Sequence, residues 1–236
     1  MSLPPLVFLP PAGGNARAYE PLISALSLPL GGRHLEILEY PGRRPGTRPL
    51  DTVGDLAAFV EKKLGARGLE DAFLVGHSLG GAVALEVALR GAARLSGLIL
   101  IGTGGRLRVH PMILEMMRTA AAEGQPVPPP ALAFGPGASE DLIDRVAQAW
   151  SETHPAGALG DWEAVNTFDR LADLARISLP TLVLCGEADQ MTPRKYSEKL
   201  AEAIAGAQLL VHPGAGHLIP WEEPDWLARH IAEFVS

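Results

Sequence analysis

The chain of 236 residues is 47% hydrophobic and 20% charged, a composition typical of globular proteins and not of disordered ones. Its formal net charge of −7 argues against nucleic acid as a partner, and no apolar run approaches the roughly 18 residues of a membrane span. The single cysteine, Cys185, excludes an internal disulfide framework, and the N-terminus lacks the basic region of a signal peptide, so we expect a cytoplasmic protein.

Apolar strands and amphipathic helices alternate along most of the chain. The predicted strands cover residues 6–9, 35–40, 72–75, 98–101, 180–186 and 207–214. The predicted helices cover residues 16–26, 51–64, 79–89, 194–204 and 224–235, the second with Thr52 and Asp55 in capping-box spacing. Short apolar strands separated by helices predict a doubly wound α/β domain with a mostly parallel sheet covered on both faces.

One connection, from Gly102 to Leu179, is much longer than the dozen or so residues that a crossover requires. It contains three helical patterns, and the first two are separated by the Pro/Gly-rich stretch 124–137. We interpret residues 103–176 as a helical cap inserted above the sheet, and residues 1–102 and 177–236 as the core domain. The alternative is a second packing layer with no role in binding.

The motif Gly76-His77-Ser78-Leu79-Gly80 lies where a predicted strand ends and a helix begins. A GxSxG pattern alone also arises by chance, but the preceding strand and following helix are the context that a nucleophile elbow needs. The two glycines are expected to avoid collisions in a tight, strained turn. The free N–H groups of the helix that begins at Leu79 would favour negative charge on a substrate oxygen.

A nucleophilic serine needs a base, and the base needs an acid to orient it. His217 follows one predicted strand in a Gly-rich loop, and Asp189 follows the strand that ends near Cys185. Both residues lie at carboxyl ends of parallel strands, where such sheets bind ligands. Glu187 is the alternative acid, and an ordinary loop histidine or turn aspartate is the alternative for either residue. The spacing of His and carboxylate residues predicts no metal site.

These motifs resemble those of the α/β-hydrolase superfamily over nearly the whole chain: Gly76–Gly81 its elbow, Gly186–Asp189 its acid turn and Gly216-His217 its histidine loop. The resemblance implies Ser78 as nucleophile, His217 as general base and then acid, and Asp189 as the carboxylate that orients His217. It also implies an oxyanion hole made by two backbone N–H groups, those of Ala12 and Leu79. This chain has Pro10-Pro11 where the superfamily often has His-Gly, and an ordinary Pro/Gly turn is the alternative there.

The expected reaction is hydrolysis of a carboxylic ester of a small or medium apolar acyl group through an acyl-enzyme, without a cofactor. Four large side chains of the predicted cap, Met112, Met116, Trp150 and Trp162, suggest an apolar acyl pocket, although each could instead pack the cap against itself. An aspartate nucleophile, as in epoxide hydrolases and haloalkane dehalogenases, is excluded by the serine at position 78.

A thioesterase is the main alternative. The segments Pro10–Gly14 and Pro41–Arg43 resemble those of type II thioesterases, which act on acyl groups of carrier proteins. Arg43, Arg44 and Arg48 could then meet an acidic acyl carrier or a coenzyme phosphate, or could simply form a solvated turn. A non-catalytic binding protein on the same fold and an accompanying haloperoxidase activity are further alternatives.

Overall fold

A computed structural model describes residues 3–236 of the chain. Six strands in this range form one sheet in the order β2-β1-β3-β4-β5-β6, and every neighbouring pair is parallel. The strands are β1 (Leu6–Leu9), β2 (Leu35–Ile37), β3 (Ala72–His77), β4 (Leu95–Ile101), β5 (Thr181–Gly186) and β6 (Gln208–His212). The predicted doubly wound α/β class is confirmed. The strand order reverses between β1 and β3, and open parallel sheets bind ligands at such a point.

Helices cover both faces of the sheet. They are α1 (Glu20–Leu26), α2 (Val53–Arg67), α3 (Leu79–Arg90), α4 (Pro111–Glu123), α5 (Glu140–Ser151), α6 (Pro155–Thr167), α7 (Lys195–Ala203), α8 (Ile219–Glu222) and α9 (Pro224–Val235). Side chains of β1 alternate between the two faces, as the pleat of a strand requires. Leu6 and Phe8 pack with α1 and α9, whereas Val7 and Leu9 pack with α2 and α3. None of the helices in residues 3–236 has the length and apolarity needed to cross a bilayer.

The bounds of several predicted elements differ from those observed, and the structure gives a reason for one helix and one strand. The helix predicted over residues 16–26 starts as a 3-10 helix, Ala16–Tyr19, before α1 begins at Glu20. Pro21 lies in the first turn of α1 and has no N–H to bond back to the preceding turn, so the α-helix starts afresh there. The strand predicted to reach Tyr40 ends at Ile37, although Leu38 still donates a hydrogen bond to the carbonyl of Phe8.

The segment between β4 and β5 contains α4, α5, α6 and two 3-10 helices, Ala131–Ala133 and Leu171–Arg176. Helix α4 packs on α6, and α5 packs near the 3-10 helix that precedes α1. Ala164, Phe168 and Leu174 belong to the same buried cluster as the α2/α3 face of the sheet. The inserted segment therefore shares the main core, and its description as a separate cap stays a prediction.

Candidate active site

Ser78 occupies a strained turn between β3 and α3. Its φ of 54° and ψ of −114° lie outside the regions that residues with a side chain normally adopt. A Cβ atom on Gly76 would overlap the carbonyl of Gly80, and one on Gly80 would overlap the carbonyl of Leu9. Only glycine fits at either position, because in both cases the obstacle is backbone.

Neighbouring groups hold this turn from both sides. The N–H of Ser78 donates to the carbonyl of Ile101 at 2.9 Å, and the Thr103 hydroxyl donates to the carbonyl of Ser78 at 2.7 Å. The buried Tyr19 hydroxyl accepts from the N–H of His77 at 2.9 Å and donates to the carbonyl of Leu9 at 2.7 Å. The elbow is therefore joined to the carboxyl ends of β1 and β4 and cannot shift independently of the sheet.

His217 and Asp189 form a buried hydrogen-bonded pair beside the elbow. Nδ1 of His217 lies 2.8 Å from Oδ2 of Asp189. Oδ1 of Asp189 accepts from the N–H groups of Met191 and Thr192, and Oδ2 also accepts from the Thr192 hydroxyl, each at 2.8 Å. Burial raises the pKa of Asp189, but His217 and the hydrogen bonds outweigh it, so the pKa lies below the ordinary carboxyl value. Asp189 is therefore an anion that is hydrogen-bonded to the imidazole.

The loop that carries His217 is held by contacts with the inserted segment and with β3. The N–H of His217 donates to the carbonyl of Ala133, and its carbonyl accepts from Nε2 of His77, both at 2.8 Å. Oε2 of Glu222 accepts from the N–H groups of Gly135 and Gly216 at 2.7 and 3.0 Å. Together these bonds fix where the loop presents the imidazole.

Ser78 and His217 line the same cavity at the carboxyl edge of the sheet. In the described part of the chain, the imidazole bonds Asp189, and no hydrogen bond joins it to the Ser78 hydroxyl. Such catalytic contacts are often long before substrate binds. Glu187 is exposed and pairs with Arg194 at 2.8 Å, so it does not take the place of Asp189.

A buried ion pair supports the loop that follows β1. Oδ2 of Asp161, on α6, accepts from the N–H of Gly13 and lies 2.9 Å from the Arg43 guanidinium, which also donates to the carbonyl of Pro11 at 3.2 Å. Ala12 lies between the two anchored residues. Among residues 3–236, no hydrogen bond uses the N–H of Ala12 or of Leu79. Both N–H groups are therefore available to a ligand.

Arg43 is buried. Both interpretations of the sequence, contact with a carrier or phosphate and a solvated turn, required it to face solvent. It is only 2% exposed, and its guanidinium also lies 5.0 Å from the centre of the Tyr40 ring. The prediction that Arg43 meets a carrier or a coenzyme phosphate is wrong, because Asp161 already neutralises its charge. Burial raises the pKa of Asp161 to about 6, although Arg43 and the Gly13 N–H oppose that rise. Arg44 is exposed and pairs with Glu39.

The cavity has two arms that meet at Ser78. The narrow arm is a space of about 30 Å³ bounded by Met117, residues 127–130, Trp150 and Leu218. The wide arm is a space of about 240 Å³, and the residues that border it include Arg108, His110, Ile113, Leu132, Val165, Gln190 and Tyr196. Ala12, Trp162, Met191 and His217 line both arms. A bound carbonyl at Ser78 could thus extend one substituent into each arm.

The prediction of pocket residues is wrong for two of its four members. Met112 and Met116 are 74% and 46% exposed, and neither borders the cavity. On α4 it is Ile113 and Met117, one helical turn apart, that face inward. Trp150 borders the narrow arm, and Trp162 borders both arms.

Sequence reasoning missed three further polar residues of the site: Tyr19, Asp161 and Thr192. A partial signal was present, because the carboxylate of an aspartate in a turn often accepts from the backbone N–H two residues on, which fixes the turn that also carries Thr192. Asp161 stands in an apolar helical stretch, which hints at burial, but its partner Arg43 is distant in sequence. Within the described residues, no group of three or more His, Cys, Asp or Glu side chains is arranged to hold a metal.

Comparison with known proteins identifies the family of the chain. A model of the alpha/beta hydrolase family matches residues 6–230. The chain belongs to the α/β-hydrolase family. It is 28% identical to a protein of Variovorax paradoxus named "Putative carbamate hydrolase RutD", over 95% of this chain and 88% of the relative. It is 29% identical to part of the polyketide synthase ThaQ of Burkholderia thailandensis, over 92% of this chain but only 11% of that protein.

The solved structure of a thermophilic esterase superposes with a TM-score of 0.79 at 28% identity, covering 97% of this chain and 88% of the esterase. The relatives and the family together show that the protein is a hydrolase of the α/β type. The names of these proteins differ: one is a putative carbamate hydrolase, one a polyketide synthase and one an esterase.

Proposed function

We propose that this α/β-hydrolase cleaves carboxylic esters through an acyl-enzyme formed on Ser78. The observation that carries the proposal is the buried 2.8 Å contact between His217 and Asp189 in a cavity that Ser78 also lines. A strained serine at the switch point of the sheet, with a charged Asp–His pair beside it, supports nucleophilic acyl transfer.

In the proposed reaction, the N–H at Nδ1 of His217 donates a hydrogen bond to Asp189, which leaves Nε2 free as the base. Nε2 takes the proton of the Ser78 hydroxyl while Oγ attacks the ester carbonyl. The N–H groups of Ala12 and Leu79 then stabilise the negative oxygen of the tetrahedral intermediate. His217 returns the proton to the leaving alcohol, and water repeats the sequence to release the acid.

We place the acyl group in the narrow arm and the leaving group in the wide arm. A space of about 30 Å³ admits on the order of two or three heavy atoms, since one water needs about 10–15 Å³ in this measure. The proposed substrates are therefore esters of compact acyl groups. Met117 and Trp150 bound the narrow arm and would exclude longer chains.

A thioester is the second candidate, because the chain is similar to a segment of a polyketide synthase and its first loop resembles that of type II thioesterases. The same residues would attack a thioester carbonyl in the same way. An acyl carrier as partner would have to be recognised by groups other than Arg43.

The deciding experiment is steady-state kinetics on p-nitrophenyl acetate, butyrate and octanoate, on the acetyl thioester of N-acetylcysteamine and on a phenyl carbamate. We expect acetate to exceed octanoate at least about tenfold in kcat/KM, and Ser78→Ala to lower kcat by about 10⁴-fold or more. Undiminished turnover in Ser78→Ala would overturn the proposal. A thioester or carbamate preferred by about a hundredfold would reassign the substrate while keeping the mechanism.

A further inference from the structure

A second cavity with an unusual charge lies beside the wide arm. It has a volume of about 300 Å³, and its walls include Arg106, Arg108, Lys195 and Lys199, together with Leu171 and Tyr196. None of the residues bordering this space is acidic. We call it the basic pocket. Its sign is opposite to that of the chain as a whole, whose net charge is −7.

The positive charges of the basic pocket are only partly balanced. Asp169 lies 3.4 Å from Arg106 and 3.3 Å from Arg108, so one carboxylate is shared by two guanidinium groups. The ion pairs of residues 3–236 do not include Lys195 or Lys199. Nearby acids are engaged elsewhere, since Asp173 pairs with Arg170 and Arg176, and Glu198 pairs with Arg194. The pocket thus keeps an excess of positive charge.

The basic pocket adjoins the wide arm. Arg108 and Tyr196 border both spaces, so a molecule that extends from Ser78 along the wide arm reaches the basic pocket with its far end. Lys195 is also the first residue of α7, and the partial positive charge of a helix N-terminus adds to the local potential. Apolar walls near the serine and cations farther out match a substrate with an apolar reacting end and an anionic tail.

We infer that the basic pocket binds an oxyanion group, a phosphate or a carboxylate, at the far end of the substrate's leaving group. This inference rests on the proposed function, because it assigns the leaving group to the wide arm. Guanidinium groups suit the paired oxygens of either anion, and the two lysines add point charges that hold it without exact geometry. Recognition of an anion thus falls to the four cationic residues of the basic pocket and not to Arg43, Arg44 and Arg48.

The test compares acetyl esters that differ only in the tail. The carboxylate pair is 3-(4-acetoxyphenyl)propionate and its N-methylamide, and the phosphate pair is 4-acetoxybenzyl phosphate and 4-acetoxybenzyl alcohol. We expect kcat/KM to favour at least one anionic ester over its neutral partner by about tenfold, or about 1.4 kcal/mol. Which pair shows the larger preference identifies the anion.

The variant Lys195→Gln/Lys199→Gln should bring that ratio close to one. The matched control is Lys62→Gln/Lys63→Gln, which also removes two positive charges, but from α2. This control should keep the ratio of the unaltered protein, because we attribute the lowered ratio to the position of Lys195 and Lys199 and not to a general loss of positive charge. Equal ratios in both double variants, or no preference in the unaltered protein, would overturn the inference.

A binding measurement separates this inference from the proposed function. Inorganic phosphate is titrated calorimetrically into Ser78→Ala protein, with and without each pair of lysine substitutions. We expect loss of Lys195 and Lys199 to weaken phosphate binding by about tenfold, and loss of Lys62 and Lys63 to leave it unchanged. Phosphate binding that depends on the two lysines, without hydrolysis of any ester, would refute the proposed function and retain the anion site. Ester hydrolysis with phosphate binding that does not depend on these lysines would refute the anion site and retain the proposed function.

Discussion

The turns at the strand ends and the inserted segment between β4 and β5 line the same cavity, but different forces determine their geometry. At the elbow, the carbonyls of Leu9 and Gly80 leave no space for a side chain. In the inserted segment, the rotation of α4 decides that Met117 faces the cavity while Met112 faces solvent. Ser78 is thus placed by backbone packing, whereas the walls of the cavity are placed by side chains.

The largest effect should come from Asp189, which we propose orients the imidazole of His217. Asp189→Asn is expected to lower kcat by about 10⁴-fold, because an amide at this position favours the wrong tautomer of His217. Glu187→Gln is the matched control, and it should leave kcat unchanged because Glu187 is exposed and pairs with Arg194. Ester kinetics on both variants measure this. An equal loss in the two variants would mean that the acid is misassigned.

The next effect tests the link between the two regions. Asp161→Asn leaves the Arg43 charge buried and unpaired, and should lower the free energy of unfolding by about 3–5 kcal/mol. Adding Arg43→Met should recover much of this loss, because no buried charge then remains and the introduced amide oxygen could still accept from the N–H of Gly13. Urea unfolding of the single and double variants measures both steps. Additive losses would contradict a coupled pair.

A glycine pair sharpens the backbone side of the comparison. Gly80 and Gly65 are both helical, but only at Gly80 would a Cβ atom meet backbone. Gly80→Ala should therefore lower the free energy of unfolding by about 3 kcal/mol, and Gly65→Ala should raise it by about 0.5–1 kcal/mol through helix propensity. Chemical denaturation compares them. A mild effect at Gly80 would show that the elbow can relax.

A methionine pair sharpens the side-chain side. Met117→Ala should lower the free energy of unfolding by about 2 kcal/mol and enlarge the narrow arm, which should raise kcat/KM for p-nitrophenyl butyrate relative to acetate. Met112→Ala should change stability by less than about 0.5 kcal/mol and leave the acyl preference as it is. The same chain-length series measures both. An altered preference in Met112→Ala would place α4 in a different rotation.

The last effect appears only when the pH is lowered, and it concerns the stability of the elbow. Burial, together with the neighbouring His217, lowers the pKa of His77 to about 3. The unfolded chain protonates this histidine below about pH 6.5, while the folded protein does not until about pH 3, so stability falls as the pH is lowered through that window. We expect the slope, about 1.4 kcal/mol per pH unit, to be lost in His77→Gln. Urea unfolding between pH 7 and 4 tests this, and an unchanged slope would contradict it.

Local signals carry most of what could be predicted. The strands and helices follow from their periodicity, and Ser78, Asp189 and His217 each stand shortly after an apolar strand, where the parallel order brings them to one edge. The need for glycine at position 76 could be predicted because its obstacle, the carbonyl of Gly80, lies within a few residues of the serine, whereas the obstacle at Gly80 is Leu9 of the neighbouring strand.

Contacts between distant parts of the chain could not be predicted in this way. Nothing near Arg43 in the sequence shows that Asp161 will neutralise it, so the sequence favours a solvent-facing arginine. The basic pocket joins an extended segment after β4 to the first turns of α7, and neither carries a motif. The choice between Met112 and Met117 depends on the rotation of α4 against α6, which hydrophobicity alone leaves open because both are methionines.

The buried pair of Arg43 and Asp161 has a consequence for how the protein exchanges ligands with water. Lifting α6 away from the sheet would separate the two charges and strip the Gly13 N–H of its acceptor, at a cost of several kcal/mol. We therefore expect hinged opening of the whole inserted segment to be rare. Substrate and product should instead enter and leave where His110, Leu132 and Gln190 are exposed at the rim of the wide arm. Turnover would then need only side-chain motion at an opening that is always present.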